Sequence, residues 1–240
     1  MRRYPDEWSV DLEEGARVTA LFYERLGPSA GASLVLAHGA GAGQRSPFIV
    51  AFAEALAAKG LDVVTFNFLY TERGRKLPDR RPALEACYRA VIGEAQREKP
   101  DTHGRLFIGG KSMGGRIATH VCAASSELPV TGLVLLGYPL HPPGRPVQRR
   151  DAHLGDVRRP TLIVQGSRDT FGTPDEFEPV LRSMNPTPTL HVVDGGDHSF
   201  KVPRAGASGQ AAVHEEIQQT IVEWIAHIMR TEPDVRLRHG

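Results

Sequence analysis

Short apolar runs alternate along the chain with longer segments in which apolar residues recur every three or four positions. Runs of the first kind, bounded by glycine or proline, are typical of buried strands, and segments of the second kind are typical of helices that pack one face on a sheet. The predicted strands are 17–23, 34–38, 61–68, 106–108, 133–138, 161–165 and 190–193. The predicted helices are 46–59, 82–98, 113–125, 174–184 and 211–230.

This alternation predicts an α/β fold, with a mainly parallel central sheet and helices on both faces. The chain of 240 residues, 40% of them hydrophobic, has the length of one such domain, so we expect a single domain over 1–240. Strand 17–23 is expected at the sheet edge, 205–209 as a mobile stretch and 231–240 as a loose tail. Segment 139–160 is rich in proline and arginine, without helical period, and predicts no substantial cap domain.

Ser112 lies between strand 106–108 and helix 113–125, in the pattern Gly-x-Ser-x-Gly. A serine on so sharp a turn needs very small neighbours two positions before and after it, and here these are Gly110 and Gly114. The turn would direct the hydroxyl outward at a helix N-terminus, where the N–H of Met113 favours negative charge on an attacked carbonyl oxygen. The segment therefore predicts a nucleophile elbow.

Two other interpretations of this segment compete with the nucleophile elbow. A glycine-rich strand-to-helix turn with an incidental serine stays open, because the bare pattern is common by chance. A phosphate-binding loop of the form Gly-x-x-x-x-Gly-Lys-Ser would need glycine at position 105, where the chain has Arg105, and a loop where residues 106–108 predict a strand.

A second glycine-rich loop, His38 to Gly43, follows strand 34–38. A dinucleotide fingerprint starting at Gly39 fails, because it would need glycine where Gln44 stands. A metal site would have only one histidine. The loop can instead supply a backbone N–H from Ala40 or Gly41 to an oxyanion hole, and a plain glycine turn stays open beside that hypothesis.

A serine nucleophile needs a base within hydrogen-bond reach and a carboxylate that orients the base. In hydrolases with a strand–turn–helix nucleophile, the chain order is serine, acid, histidine, each after a strand. Ser112, Asp169 and His198 have this order and these positions. Among the competing carboxylates, Asp175 suits a helix N-terminus and Asp197 adjoins His198, and Asp194 is the remaining alternative.

These motifs together resemble the α/β-hydrolase superfamily, and within it the small cap-less branch related to dienelactone hydrolase and typified by testis-expressed protein 30. The segments that carry the resemblance are 38–43, 110–116, 166–169 and 197–200. The resemblance spans about 18–229 and implies the α/β-hydrolase fold and a serine hydrolase without cofactor or metal. Dienelactone hydrolase itself is expected to use cysteine, so its lactone specificity is not carried over to Ser112.

The predicted reaction is cleavage of a carboxylic ester or related acyl bond, with a small-molecule acyl substrate. A catalytically silent interaction module of the same fold and an acyltransferase are the alternatives. Five side chains are predicted to contact the substrate: His38, Tyr70, Tyr138, His141 and Phe171. The arginine-rich loop 70–81 is either a solvated face or a recognition site for an anionic substrate group.

Charge and cysteine usage bear on the binding partners and on the cellular compartment. The formal net charge is +1, so no global field favours nucleic acid or a membrane surface. The N-terminus lacks the apolar core of a signal peptide, and no apolar run is long enough to span a membrane. The two cysteines, Cys87 and Cys122, fall in predicted helices, which argues against a disulfide framework and favours the cytoplasm. The oligomeric state is left open.

Overall fold

Within the residues described by the computed structural model, 5–99, 105–203 and 205–231, eight strands form one sheet. In chain order the strands are β1 (Asp6–Asp11), β2 (Arg17–Tyr23), β3 (Ser33–Ala37), β4 (Asp62–Phe66), β5 (Leu106–Lys111), β6 (Gly132–Leu136), β7 (Thr161–Gly166) and β8 (Thr189–Val193). The helices are α1 (Pro47–Ala58), α2 (Leu69–Glu72), α3 (Arg81–Glu98), α4 (Met113–Ala123), α5 (Pro174–Ser183) and α6 (Gly206–Thr231).

The strand order is β1-β2-β4-β3-β5-β6-β7-β8. The pairs from β4 to β8 are parallel, whereas β1 and β2 pair antiparallel with each other and β2 pairs antiparallel with β4. The chain leaves β3 toward β4 on one side and later returns to β5 on the other. The loops after β3 and β5 therefore separate at the carboxyl edge of the sheet, and such a switch point opens a crevice for a ligand.

Each face of the sheet is covered by helices through its own hydrophobic cluster. On one face Phe52 of α1 and Ile221 of α6 pack against the sheet, and both are fully buried. On the other face Tyr88 of α3, Ile117 of α4 and Phe177 of α5 do the same. The predicted α/β class, with a mainly parallel sheet and helices on both faces, is confirmed.

Segment 139–160 crosses the second face without forming a cap. It contains one short helical turn, Leu154–Asp156, and it is anchored by the buried side chains of Leu140 and Leu154. The expectation of no substantial cap holds for the described residues. In the described chain, loops and the first turns of helices therefore cover the carboxyl edge of the sheet.

Three predictions about individual segments are wrong. Strand β2 is internal, because the polar segment Asp6–Asp11 adds β1 outside it. Helix α6 begins at Gly206, so most of the stretch predicted to be mobile is helical. Loop 70–81 begins within the short helix α2. The tail predicted over 231–240 lies outside the described residues, except for Thr231, which ends α6. The expectation of a single domain over 1–240 stays a prediction.

Cys87 and Cys122 lie in α3 and α4, as predicted, and both are buried free thiols. Burial raises the pKa of each thiol to about 12, so neither is a reactive thiolate near neutral pH. Of the helices in the described ranges, none combines the length and apolarity needed to span a membrane.

Candidate active site

Ser112 lies between β5 and α4 with φ 51° and ψ −112°, a backbone conformation that few residues with side chains adopt. Its N–H donates to the carbonyl of Leu136 at 2.9 Å, which ties the turn to β6. A Cβ atom at Gly110 would lie 2.4 Å from the carbonyl oxygen of Ala37, and one at Gly114 would lie 2.6 Å from it. Only glycine allows β5 and α4 to approach β3 this closely, and this packing holds Ser112 in its strained turn.

His198 bridges the serine and a carboxylate. Its Nε2 lies 2.8 Å from Ser112 Oγ, and its Nδ1 lies 2.8 Å from Asp169 Oδ2. An ionised carboxylate accepts only, so Nδ1 carries the proton and Nε2 is left to accept from the serine hydroxyl. The Asp169 side chain is fully buried, whereas that of His198 is 20% exposed. The geometry allows proton transfer from the hydroxyl to the imidazole.

The Asp169 carboxylate is held by two further donors. The N–H of Phe171 donates to Oδ1 at 2.8 Å, and Gln165 Nε2 donates to Oδ2 at 2.8 Å. Gln165 is fully buried, donates also to the carbonyl of Gly172 at 2.8 Å, and accepts from the N–H of Tyr138 at 2.9 Å. Sequence reasoning missed this residue. The available signal was a polar side chain directly after the apolar run 162–164 of strand β7.

Lys111, the residue before the serine, fastens the histidine loop. Its Nζ donates to the backbone carbonyl of His198 at 2.6 Å. Burial lowers the pKa of Lys111 to about 8, although the negative charges of Asp169 and Asp197 act in the opposite direction. The variable position of the elbow motif thus positions the loop that carries the imidazole.

The three competing carboxylates have other partners or places. Asp197 Oδ1 accepts from the N–H groups of Ser199 and Lys201 and so closes its own loop. Asp194 accepts from the hydroxyl of Ser167, and Asp175 lies in the first turn of α5. Among these four, the carboxylate that contacts His198 is that of Asp169.

A cavity of about 770 Å³ opens in front of Ser112 and His198. Small residues of the loop after β3, including Ala40, form one side, and apolar side chains such as Phe48 and Leu84 form another. The ring of Phe171 stacks on His198 with 4.1 Å between ring centroids. Three arginines also reach this cavity, Arg81, Arg116 and Arg150.

The predicted oxyanion donors are divided between two cavities. Met113 and Ala40 line the cavity with Ser112, and the N–H of Met113 belongs to the first turn of α4, which lacks intrahelical acceptors. Gly41 instead lines a neighbouring cavity of about 480 Å³, together with Tyr70. The positions are compatible with Met113 and Ala40 as the pair of donors, and a contribution from Gly41 stays a prediction.

Of the five residues predicted to contact the substrate, the structure brings Phe171 to the cavity with Ser112. His38 is fully buried beneath the loop: its Nδ1 donates to the carbonyl of Gly39 at 2.8 Å, and its Nε2 accepts from the N–H of Phe68 at 3.3 Å. Burial lowers the pKa of His38, which keeps the imidazole neutral in this structural role. Tyr70 is buried beside it, with ring centroids 6.0 Å apart.

Tyr138 and His141 likewise point into the protein. The Tyr138 hydroxyl donates to the carbonyl of Arg150 at 2.8 Å, and His141 Nε2 lies 2.9 Å from Glu176 Oε1. Both side chains anchor the loop after β6 and do not line the cavity. The place of these residues after a strand was enough to predict that they lie in a loop at this edge of the sheet. It did not reveal the direction in which each side chain points.

The described residues contain no group of three or more histidine, cysteine, aspartate or glutamate side chains arranged to hold a metal ion. The groups that Ser112, His198, Asp169 and the cavity lining supply are a hydroxyl, an imidazole, a carboxylate, backbone N–H groups and guanidinium groups.

Comparison with known proteins bears on these features. Residues 30–226 match the family model described as an alpha/beta hydrolase domain. Similar solved structures include a dienelactone hydrolase from Anabaena variabilis, with 22% identity, a TM-score of 0.72 and coverage of 94% of this chain and 99% of that one. An α/β serine hydrolase without lid from Xanthomonas campestris shares 20% identity at TM-score 0.70, covering 93% and 96%. An esterase from Pyrococcus furiosus shares 15% at TM-score 0.72, covering 94% and 91%.

Proposed function

The chain belongs to the α/β-hydrolase family, and on that premise we propose that it is a serine hydrolase that cleaves a carboxylic ester or related acyl bond. The observation that carries the proposal is the continuous hydrogen-bond chain from Ser112 through His198 to Asp169, with 2.8 Å at both contacts. Esterase and serine hydrolase neighbours of the same fold support it.

In the proposed first half-reaction, the substrate carbonyl lies over Ser112, and His198 Nε2 takes the hydroxyl proton as Oγ attacks the carbonyl carbon. Asp169 stays ionised and stabilises the imidazolium. The oxyanion of the tetrahedral intermediate accepts from the N–H of Met113 and, in this proposal, from that of Ala40. The imidazolium then gives its proton to the departing alkoxide, which leaves an acyl-enzyme on Ser112.

The second half-reaction repeats the same proton path with water. His198 Nε2 takes a proton from the water molecule as the water oxygen attacks the acyl carbon. The imidazolium then returns this proton to Ser112 Oγ when the carboxylic acid is released. Since His198 is 20% exposed, water can reach it from the cavity. The two buried free thiols also support the proposal that the protein works in the reducing cytoplasm.

The test is turnover of p-nitrophenyl butyrate and covalent labelling by a fluorophosphonate, compared between wild type and Ser112→Ala. We expect the variant to lose labelling and to lose kcat/KM by about 10⁴-fold or more, because no other hydroxyl lies within hydrogen-bond distance of His198 among the described residues. Ser208→Ala, which removes an exposed serine of α6, is the matched control and should match wild type.

Equal labelling and equal turnover in wild type and Ser112→Ala would overturn the proposal. Absence of both activities in wild type would favour the silent interaction module instead. If turnover depends on Ser112 but added alcohols are acylated faster than water is consumed, the enzyme is an acyltransferase that uses the same acyl-enzyme.

A further inference from the structure

The charged side chains that line the cavity in front of Ser112 are mainly basic. Arg81 at the start of α3, Arg116 in α4 and Arg150 in segment 139–160 reach it, in addition to Lys111. The carboxylate that lines the same cavity, Asp79, is already paired with Arg75 outside it. Three segments that are distant in sequence thus bring positive charge to one wall, although the net charge of the chain is only +1.

Arg116 is the central member of this group. It follows Ser112 by one helical turn, so both residues face the same side of α4. Its Nε is buried and has no hydrogen-bond partner among the described residues. Arg150 is also without an ion pair in the described part of the chain, whereas exposed Arg81 contacts Glu85 at 3.2 Å. Other arginines of the described chain do form ion pairs, as Arg182 does with Glu178 at 2.9 Å.

The positive charges of this wall act against one another. Burial lowers the pKa of Arg116, and the positive charges of Arg150 and Arg81 act in the same direction. Like charges held together with little solvent destabilise each other, and an anion placed between them would relieve the repulsion. Guanidinium groups bind carboxylate and phosphate through paired, charge-assisted hydrogen bonds.

The neighbouring histidines add no further positive charge to this wall. His120 and His153 stack with 3.5 Å between ring centroids, and His153 Nε2 lies 2.8 Å from the hydroxyl of Thr119. Burial lowers the pKa of His120 to about 3 and that of His153 to about 4, and nearby positive charge, including that of Arg116 and Arg81, adds to both effects. Both rings are therefore neutral at physiological pH, and the positive charge of the wall comes from its arginines alone among these residues.

We propose that Arg116 and Arg150, with Arg81 at the rim, form an anion subsite that binds a carboxylate or phosphate group carried by the ester substrate. This inference rests on the proposed function, because it places the scissile carbonyl at Ser112. Ser112 and Arg116 are four positions apart along the chain, which separates their Cβ atoms by about 6 Å. The anionic group of the substrate would therefore lie a few bonds from the reacting carbonyl.

The kinetic test uses matched ester pairs that differ in charge. On the acyl side, p-nitrophenyl hydrogen adipate is compared with p-nitrophenyl methyl adipate. On the leaving-group side, 4-acetoxybenzoate is compared with its methyl ester. In wild type we expect kcat/KM for the charged member of one pair to exceed that of the neutral member by about 10- to 100-fold, the range of one or two hydrogen bonds between charged groups.

Three variants decide whether this preference comes from Arg81, Arg116 and Arg150, which together we call the arginine wall. In Arg116→Gln the charged-to-neutral ratio should fall toward one, whatever the absolute rates, and Arg116→Lys should keep part of the preference because it keeps the charge without the planar fork. Arg182→Gln removes the same charge from an exposed ion pair on α5 and should leave the ratio unchanged.

A binding measurement separates this inference from the proposed function, because it needs no turnover. Adipate and inorganic phosphate are titrated calorimetrically into the Ser112→Ala protein and into the same protein carrying Arg116→Gln. We expect Kd to weaken about tenfold or more in the double variant, and the tighter of the two anions identifies the preferred group.

Equal charged-to-neutral ratios in wild type and Arg116→Gln would overturn the subsite while leaving the hydrolase intact. If neither member of either pair is hydrolysed, the proposed function fails and the titration alone decides the subsite. In that case, anion binding that is unaffected by Arg116→Gln overturns it, and binding that depends on Arg116 supports it.

Discussion

The two walls of the cavity treat their polar groups in opposite ways. At the reactive wall, Ser112, His198 and Asp169 form a chain of hydrogen bonds that continues through Gln165 into the backbone. At the arginine wall, Arg116 and Arg150 have no carboxylate partner among the described residues, and Arg116 Nε is buried without an acceptor.

This difference matches the two tasks that we propose for the cavity. A network in which each member is satisfied fixes geometry before any substrate arrives, which is what a proton relay needs. A group of unpaired like charges costs stability in the free protein, and that cost is relieved only when a ligand of opposite charge binds. Removal of a polar group should therefore destabilise the first wall and stabilise the second.

After Ser112→Ala, the largest expected effect follows from removing the charge of the buried carboxylate. Asp169→Asn should lower kcat/KM for p-nitrophenyl butyrate by about 10³- to 10⁴-fold, because an amide neither fixes the imidazole tautomer nor stabilises the imidazolium. Turnover and the rate of fluorophosphonate labelling measure this loss, with thermal unfolding as a check on folding. Asp194→Asn is the matched control and should stay close to wild type. A large loss in the control, with little in Asp169→Asn, would assign the acid differently.

A smaller effect is expected one step further from the serine. Gln165→Leu leaves the N–H of Tyr138 and the carbonyl of Gly172 without their partner and removes one donor to Asp169. The free energy of unfolding should fall by about 2 to 3 kcal/mol, since buried polar groups are left unsatisfied. Urea denaturation measures this change, and Gln219→Leu on the exposed face of α6 should shift it by less than about 0.5 kcal/mol. Unchanged stability in Gln165→Leu would contradict a rigid reactive wall.

The smallest effect has the opposite sign. Arg150→Gln should raise the free energy of unfolding by about 0.5 kcal/mol at low ionic strength, because it removes repulsion from Arg116. The gain should shrink in about 1 M salt, where the screening length is only about 3 Å. Urea denaturation at both salt concentrations measures it, with Arg182→Gln as the paired-arginine control. Destabilisation of Arg150→Gln at low salt would show that the arginine wall is not strained in the free protein.

Local patterns were enough to predict most of the architecture. Apolar runs and glycines placed the parallel strands and the turn at Ser112, because buried strands and sharp turns restrict the residues within a few positions of themselves. The choice of Ser112, Asp169 and His198 used in addition the chain order known for hydrolases with this kind of nucleophile turn, whose parallel strands deliver their carboxyl ends to one edge. Strand β1 escaped because its residues, Asp6–Asp11, are mainly polar, and only pairing with β2 makes them a strand.

Side-chain partners, in contrast, depended on contacts between distant parts of the chain. His38, Tyr138 and His141 follow strands, as substrate-binding residues often do, yet they turn inward to backbone and carboxylate groups that no local pattern specifies. Gln165 became visible only through its three buried partners. The grouping of Arg81, Arg116 and Arg150 required α3, α4 and segment 139–160 to meet. Periodicity reflects which face of an element is buried, whereas hydrogen bonding and charge depend on what lies opposite, and tertiary packing alone decides that.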